Sequence, residues 1–354
     1  MDSSVNVLIN KILTAAAKRK ASHLHLVVSA YPVLRIDDQL VELKDEALVT
    51  NDFLDKLADG WLNEEQKKIL KNKKEIILVK EIDKKFRVKI NFFFQKSFLS
   101  LTTSLIPAQM PPLNNLGLPK SILNLTEKKS GLIIVGGPYG SGRSTTVAAM
   151  VEEINKNQKV NIVTIERPIE YIFSNQQSLI EQREVGVDVN SFKAALLSVL
   201  KTDVDVVVVG ENMEKEILPL VLEVAASGRL VILTITTMSV TQTIEEILAE
   251  FQVAEKNRAL TLLADSLLAV VVQRLIPKTG GGLATAAEVL LATEAVSALL
   301  REGKIKQLMT VLQSSRAEGM ISLDQALAEL VKSGAVLPDV AAKYAIEPEN
   351  FKPI

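Results

Sequence analysis

Cysteine is absent from this 354-residue sequence, and histidine occurs only at positions 23 and 25. Disulfides and thiolate metal sites are therefore excluded, and chemistry that needs an imidazole is restricted to these two residues. His23 and His25 alternate with leucines and have no acidic or thiol ligand near them in the sequence. This pattern favours an exposed or interface strand over a two-histidine metal site.

The sequence also lacks an excess of charge of either sign. Lysine and arginine total 41 and aspartate and glutamate total 42, for a net charge of −1. The field of the whole chain therefore offers no attraction for a phosphate backbone or an anionic lipid surface. We expect no nucleic-acid partner.

Long hydrophobic runs are missing as well. The most apolar stretch, residues 262–276, is interrupted by Asp265 and Arg274 and is shorter than the roughly 20 apolar residues that a membrane-spanning helix needs. The first twenty residues read as a short amphipathic helix in which the basic residues follow the apolar positions, whereas a secretory signal has them in front. We therefore expect no transmembrane segment and a cytoplasmic location.

The residues that are present divide the chain by pattern. Residues 1–108 combine alternating strand-like segments with a polar helical interval, which predicts a small α+β domain with a turn at Asp37-Asp38. Residues 106–119 (IPAQMPPLNNLGLP) contain four prolines and a glycine, which places an interdomain linker at 109–119. Short, continuous apolar runs then alternate with helical segments over 120–283, as in an α/β domain with a buried parallel sheet. Residues 284–354 are predicted to be a C-terminal helical region.

The segment GLIIVGGPYGSGRSTTVAAM reads as a strand, a glycine-rich turn and a helix. Its spacing fits the phosphate-binding pattern G-x-x-x-x-G-K-[ST], with arginine in place of lysine. Glycines suit this turn because backbone N–H groups must converge on phosphate oxygens at a helix N-terminus. The alternative is a glycine-rich turn that binds nothing. The candidate nucleotide-binding residues are Gly137, Pro138, Tyr139, Gly140, Ser141, Gly142, Arg143, Ser144 and Thr145.

Arg143 occupies the position of the lysine. A guanidinium is planar and wider than the compact ammonium that normally reaches between two phosphates. Because a misplacement of about 1 Å can cost roughly 100-fold in rate, Arg143 is more compatible with nucleotide binding than with fast hydrolysis.

Further segments resemble the type IV pilus and type II secretion ATPases in the order that this family has them, and the resemblance is strongest to pilus-retraction ATPases of the PilT type. It covers nearly the whole chain. The matching segments are ASHLHL and VLRIDDQL in the N-terminal part, VNIVTIERPIEY, QREVGVDVNSFKAALLSVLKTDVDVVVVGE and SGRLVILTITT in the middle, and AVSALLREGKI and EGMISLDQALAELV near the end.

The resemblance implies a RecA-like P-loop core preceded by a PAS-like α+β domain. It also implies ATP and Mg²⁺ as ligands, a homo-hexamer that can include an active paralogue, and an inner-membrane pilus platform protein as the partner that holds the motor at the membrane. The implied function is a motor subunit for pilus retraction and twitching motility, in which ATP binding and hydrolysis drive domain closure.

Residue by residue, the resemblance assigns Glu166 and Glu211 to the catalytic carboxylates, one acting on the attacking water and the other supporting Mg²⁺. It assigns Ser144, Asp205 and Glu211 to the metal, and Arg87 to an arginine that reaches a neighbouring subunit's nucleotide. The alternatives are surface glutamates at strand ends and, for Asp205, a strand cap. Glu170 and Arg183 also match family positions.

Several positions depart from the family pattern. Arg167 replaces an aspartate, Arg229 and Thr236 replace histidines, and Asn212, Met213 and Glu214 replace a methionine, an arginine and an aspartate, while Lys96 and Ser104 replace two of the inter-subunit arginines. Such an arginine is worth about 10³–10⁵ in turnover. Arginines at 143, 167 and 229 would also add three guanidinium groups near one phosphate site.

These departures leave three functions open. The first is an active hexameric motor. The second is a catalytically impaired paralogue with a regulatory or structural role in the motor. The third is a RecA-like nucleic-acid translocase, which shares the core fold but not the flanking segments, and which the near-neutral charge disfavours.

Overall fold

The computed structural model describes residues 3–82, 84–107, 109–211, 214–346, 348 and 351. The chain forms two compact units, one of Met1–Gln109 with Gly280–Gly282 and the other of Met110–Thr279 with Leu283–Ile354.

The first unit contains an antiparallel sheet and amphipathic helices. Its elements are α1 (Ser3–Lys18), β1 (His23–Val27), β2 (Val33–Ile36), β3 (Gln39–Glu42), α2 (Asn51–Trp61), α3 (Glu64–Lys73), β4 (Glu75–Ile82), β5 (Phe86–Gln95) and β6 (Phe98–Ile106). The strands lie in the order β3-β2-β1-β6-β5-β4, and each neighbouring pair is antiparallel.

The alternation in β1 sets the face of this sheet that is buried. Leu24 and Leu26 are fully buried in the core of the unit, while His23 and His25 lie on the opposite face. The predicted turn at Asp37-Asp38 is confirmed: both residues have positive φ, and Ile36 pairs with Gln39 across a two-residue hairpin. Such hairpins need left-handed backbone, which aspartate tolerates better than most residues.

The second unit is built on a mostly parallel sheet. Its strands are β7 (Gly131–Gly136), β8 (Asn161–Glu166), β9 (Leu179–Glu184), β10 (Val206–Val209), β11 (Leu230–Ile235), β12 (Leu267–Pro277) and β13 (Leu283–Leu291). They lie in the order β13-β12-β7-β11-β10-β8-β9. The pairs are parallel except for β12 with β13, which form an antiparallel hairpin.

Helices cover both faces of this sheet. They are α4 (Ser121–Leu125), α5 (Arg143–Asn157), α6 (Phe192–Val199), α7 (Leu218–Ala226), α8 (Val240–Ala249), α9 (Lys256–Ser266), α10 (Glu294–Arg301), α11 (Leu308–Ser314), α12 (Leu323–Lys332) and α13 (Pro338–Ala342). Strands β7, β10 and β11 are buried along their whole length, as the continuous apolar runs predict.

The predicted fold class is confirmed: an α/β core with a mainly parallel sheet follows a small α+β unit and is followed by helices. Residues 283–291 belong to the sheet as β13, so the helical region begins after them, at α10. Because parallel strands share their direction, the segments after β7, β8, β10 and β11 all leave the sheet at one edge. The candidate site lies at this edge.

Candidate functional site

The glycine-rich turn between β7 and α5 presents backbone donors. Gly142 is the N-cap of α5 and has φ 88°, a left-handed conformation that glycine adopts without strain. Among the described residues, the N–H groups of Gly142, Arg143, Ser144 and Thr145 have no hydrogen-bond acceptor. Donors of this kind, at the positive end of a 15-residue helix, make a site for an anion.

The turn is packed so closely that it requires glycine. A Cβ on Gly137, whose φ is 149°, would lie 2.4 Å from the carbonyl oxygen of Gln273 and 2.4 Å from Ser141 Oγ. A Cβ on Gly142 would lie 3.1 Å from Gln273 Nε2. By contrast, a Cβ on Gly140 would have no neighbour within 4 Å. Gly137 therefore fixes the shape of the turn, and Gly140 lies on its open side.

Gln273, which the sequence reading did not single out, holds the turn in place. Its Nε2 donates to the carbonyl oxygen of Ser141 at 2.7 Å, and its Oε1 accepts from Thr146 Oγ1 at 2.9 Å. The Gln273 side chain is only 1% exposed, so both bonds are shielded from water. One amide in β12 thus joins the turn to the first turn of α5. In the sequence, this role could have been inferred from the presence of a glutamine within the otherwise apolar run of β12.

Arg143 is turned away from solvent and is 5% exposed. One terminal nitrogen donates to Glu211 at 2.8 Å and the other donates to Thr236 Oγ1 at 2.6 Å. Thr236 in turn donates to the same carboxylate oxygen at 3.0 Å. Arg143, Glu211 and Thr236 therefore form a closed triad in which the guanidinium and the candidate carboxylate neutralise each other.

Glu166 ends β8, next to the strand that leads to Glu211. The registers of β8 and β10 place it beside Gly210, where an added Cβ would lie 3.2 Å from Glu166 Cγ. Thr164 donates to its carboxylate at 2.6 Å. Burial raises the pKa of Glu166 to about 7, although the hydrogen bonds from Thr164 and Gln182 act in the opposite direction. A carboxyl with this pKa can accept or release a proton near neutral pH.

The segment after Glu166 also reaches the phosphate turn. The hydroxyl groups of Tyr171 and Thr145 lie 3.0 Å apart and share a hydrogen bond. Burial raises the pKa of Tyr171, which therefore stays neutral. Gln182 accepts from the backbone of Phe173 and donates to that of Tyr171, so the segment is fixed to β9.

Two of the three arginines that depart from the family pattern, Arg167 and Arg229, bind partners outside the phosphate turn. Arg167 donates to Glu214 at 2.6 Å and lies over the ring of Phe192. Arg229 precedes β11 and donates to Ser227 Oγ and to the carbonyl oxygen of Thr202. Because β11 starts there, Arg229 lies at the edge of the sheet opposite the turn. The expectation that three guanidinium groups surround one phosphate site was wrong for Arg229.

Asp205 lies at that opposite edge as well. It precedes β10, and its Oδ2 accepts from the backbone N–H of Asn161 at 2.8 Å. It is a strand cap and cannot share an ion with Ser144 and Glu211, because the whole length of β10 separates it from Glu211. Ser144 lies in the first turn of α5, and its hydroxyl makes no hydrogen bond to any residue that the structure describes.

The other predicted positions are spread out. Pro138 accepts the backbone bond from Ser141, and Tyr139 is 68% exposed. Arg183 in β9 donates to Ser198 Oγ at 3.4 Å. Arg87 lies in β5 of the first unit. Asn212 and Met213 fall outside the described residues.

Within the described ranges, histidine, aspartate and glutamate side chains form no cluster of three that could hold a metal by themselves. In the same part of the chain, every helix is too short or too polar to cross a membrane.

Comparisons with known proteins show which family and which fold this chain resembles. The family model described as type II/IV secretion system protein matches residues 1–282. The type IV pilus retractation ATPase PilT of Pseudomonas aeruginosa is 34% identical over 343 residues, which is 97% of this chain and 99% of that protein. A twitching motility protein of Neisseria gonorrhoeae is 37% identical over 297 residues, covering 83% of this chain and 79% of its own. A crystal structure of the pilus retraction motor PilT with bound ADP superposes with a TM-score of 0.83, at 34% identity, over 97% of this chain and 98% of the other.

Proposed function

Because this chain belongs to the family of type II/IV secretion system proteins, we propose that it is a nucleotide-binding motor subunit of the PilT type, acting in type IV pilus retraction or related secretion machinery. In this role it works as a hexamer, binds ATP with Mg²⁺, and acts through an inner-membrane platform protein from the cytoplasmic side.

The observation that supports nucleotide binding most strongly is the set of four N–H groups at the start of α5 that find no acceptor in the described part of the chain. They belong to Gly142, Arg143, Ser144 and Thr145 and are suited to the oxygens of a phosphate. An added Cβ at Gly137 would fill the turn that carries them. The related PilT structure contains ADP, which favours a nucleoside phosphate over a simple anion.

The residues at this edge fit Mg²⁺ as part of a nucleotide complex. Ser144 offers a hydroxyl at the helix start and Glu211 a carboxylate, and a bound nucleotide would supply the remaining oxygens. Mg²⁺ would neutralise the charge that develops on the phosphates. Glu166 would hold the proton of the attacking water, because its raised pKa lets it take up that proton near neutral pH.

The experiment is a calorimetric titration of the purified chain with ATP, with and without Mg²⁺. We expect saturable binding that strengthens when Mg²⁺ is added. In Ser144→Ala this Mg²⁺-dependent gain should fall by about tenfold or more, since a ligand of the ion is lost. Ser333→Ala, which removes an exposed hydroxyl at the end of α12, should bind like the unmodified chain. Absence of ATP binding under both conditions would rule out the proposal.

The closed triad supports a second candidate, the catalytically impaired paralogue. Arg143 and Thr236 both bond to Glu211 Oε1, so the guanidinium competes with Mg²⁺ for this carboxylate. Lys96 and Ser104 also stand where the resemblance places inter-subunit arginines. If the chain has this role, it binds ATP but hydrolyses it little faster than ATP hydrolyses in buffer alone. Arg143→Lys should then restore little ATP turnover. If that single change produced turnover typical of the family, the impaired role would be excluded.

A further inference from the structure

Arg274 connects two segments that are far apart in the sequence. It follows Gln273 in β12, and because successive side chains in a strand point to opposite faces, it points away from the phosphate turn. One terminal nitrogen donates to the carbonyl oxygen of Tyr344 at 3.0 Å, and the other donates to that of Met238 at 3.2 Å. One guanidinium thus joins residues near the end of the chain to the segment that follows β11.

That segment, residues 236–239, is called the site loop because it begins with Thr236 of the closed triad. Its far end is held by Glu288, which accepts from the N–H of Val240 at 3.2 Å, at the start of α8. Gln242 accepts from the N–H of Met238 within the same turn. A displacement of Met238 therefore moves Thr236, which lies two residues away.

The chain around Tyr344 is fixed in its turn. The N–H of Ile346 donates to Asp324 Oδ1 at 2.9 Å, and Asp324 lies in the first turn of α12. Residues 344–346, called the C-terminal segment, are therefore anchored to α12 through Asp324 and linked to the site loop through Arg274.

The charges beneath this link are not fully satisfied. Arg274 Nε and Glu288 Oε1 are both buried, and neither has a hydrogen-bond partner among the residues that the structure describes. The two groups attract each other electrostatically without forming a direct bond. Unpaired buried groups are unfavourable, so the closed arrangement carries a cost at both Arg274 and Glu288.

We propose that Arg274 is a positioning residue that lets the C-terminal segment control nucleotide binding: while it bridges Tyr344 and Met238, the site loop holds Thr236 against Arg143 and Glu211 and keeps the triad closed. This regulation rests on nucleotide binding at the proposed site. Nucleotide must open the triad to reach Arg143 and Glu211, so the bridge lowers the apparent affinity by favouring the closed state. Release of the bridge has the opposite effect.

The sign of this effect separates positioning from simple structural support. Arg274→Met keeps the apolar stem and removes both bonds to the carbonyl oxygens, and we expect about 3–10-fold tighter ATP binding. Asp324→Ala frees the C-terminal segment and should tighten binding in the same way. Because both substitutions break one link, the double variant should bind no more tightly than either single variant. Arg316→Met, which removes an exposed ion pair with Glu329 in the same region, should leave the affinity unchanged.

Hydrogen exchange of peptides that cover residues 236–243 tests the same link without nucleotide. Each single substitution should speed exchange there, with no further increase in the double variant. If ATP binding weakens in Arg274→Met, or if the two effects on exchange add, the proposal is overturned. If no variant binds ATP but exchange is non-additive, the link stands and the nucleotide function fails.

Discussion

At Glu166, the chemical role that we propose conflicts with the cost of burying its charge. A carboxyl that accepts a proton from water must be ionised to begin with, yet burial at the end of β8 disfavours its charge and raises its pKa to about 7. The folded chain therefore binds a proton at Glu166 over the range from about pH 4.5 to pH 7, where the unfolded chain has released it. In this range the contribution of Glu166 to stability falls as the pH rises.

Glu166→Gln should remove this penalty. The amide keeps an oxygen that accepts the bond from Thr164 but does not ionise. We expect the variant to be more stable than the unmodified chain by about 3 kcal/mol at pH 8 and by much less at pH 5, measured by urea denaturation at both values. The other strongly shifted carboxyl, Glu288, has its pKa raised to about 7 by burial but is present in both proteins, so its effect cancels.

The same substitution should lower any ATP turnover by about 100-fold or more, because a proton acceptor is lost. Greater stability with lower activity is characteristic of functional sites that are strained for their task. The stability gain of Glu166→Gln over the unmodified chain is therefore compared at the two pH values. If this gain is smaller at pH 8 than at pH 5, the charge of Glu166 is not costly in the folded state.

At the scale of elements, the phosphate turn is held by packing that one methyl group can break. Gly137→Ala would place a Cβ 2.4 Å from a backbone oxygen of β12, a clash that strands β7 and β12 cannot relieve without separating. We expect a loss of more than about 3 kcal/mol in the free energy of unfolding and the loss of ATP binding.

Gly140→Ala is the matched control in the same turn. Its φ of 76° is also left-handed, but the added Cβ would have no neighbour within 4 Å. It should cost about 1 kcal/mol from backbone strain alone and should leave ATP binding within about threefold of the unmodified chain. Equal losses in the two variants would mean that backbone conformation, and not the contact with β12, makes glycine necessary at 137.

Strand direction explains which site residues could be predicted from the sequence. Glu166 ends β8 and Glu211 follows β10. Once the family resemblance had singled out these two residues, the alternation of strands and helices was enough to expect them at one edge. Asp205 and Arg229 precede strands, and their positions at the opposite edge follow from the same rule. Motif matching alone had assigned Asp205 to the metal and Arg229 to the phosphate site.

The supporting residues could not be predicted in this way. Gln273 contacts Ser141 across 132 positions of sequence, and Arg274 reaches Met238 and Tyr344 by side-chain geometry that no local pattern encodes. The ion pair of Arg143 with Glu211 was also unforeseen, since charge complementarity between distant positions does not fix which groups meet. The sheet, by contrast, was predictable because each buried strand is a continuous apolar run.

At the scale of the whole molecule, the two units have separate cores. The first is built from residues between Val5 and Leu101, and it includes Trp61, which is 3% exposed. The cores of the second lie on the two faces of the parallel sheet, between Leu113 and Ala345. Trp61 is the only tryptophan in the sequence, so its fluorescence reports unfolding of the first unit alone, while calorimetry reports both.

Since the proposed nucleotide site lies in the second unit, ATP with Mg²⁺ should stabilise that unit selectively. At an ATP concentration of 100 times the dissociation constant, binding adds about 2.7 kcal/mol to the free energy of unfolding. For a domain of this size, each kcal/mol raises the melting temperature by roughly 2–4 °C. We expect calorimetry to show a transition that moves upward with MgATP, while the Trp61 transition stays within about 1 °C. Because the ligand can stabilise only what unfolds together with its site, an equal shift at Trp61 would mean that the two units unfold as one cooperative body.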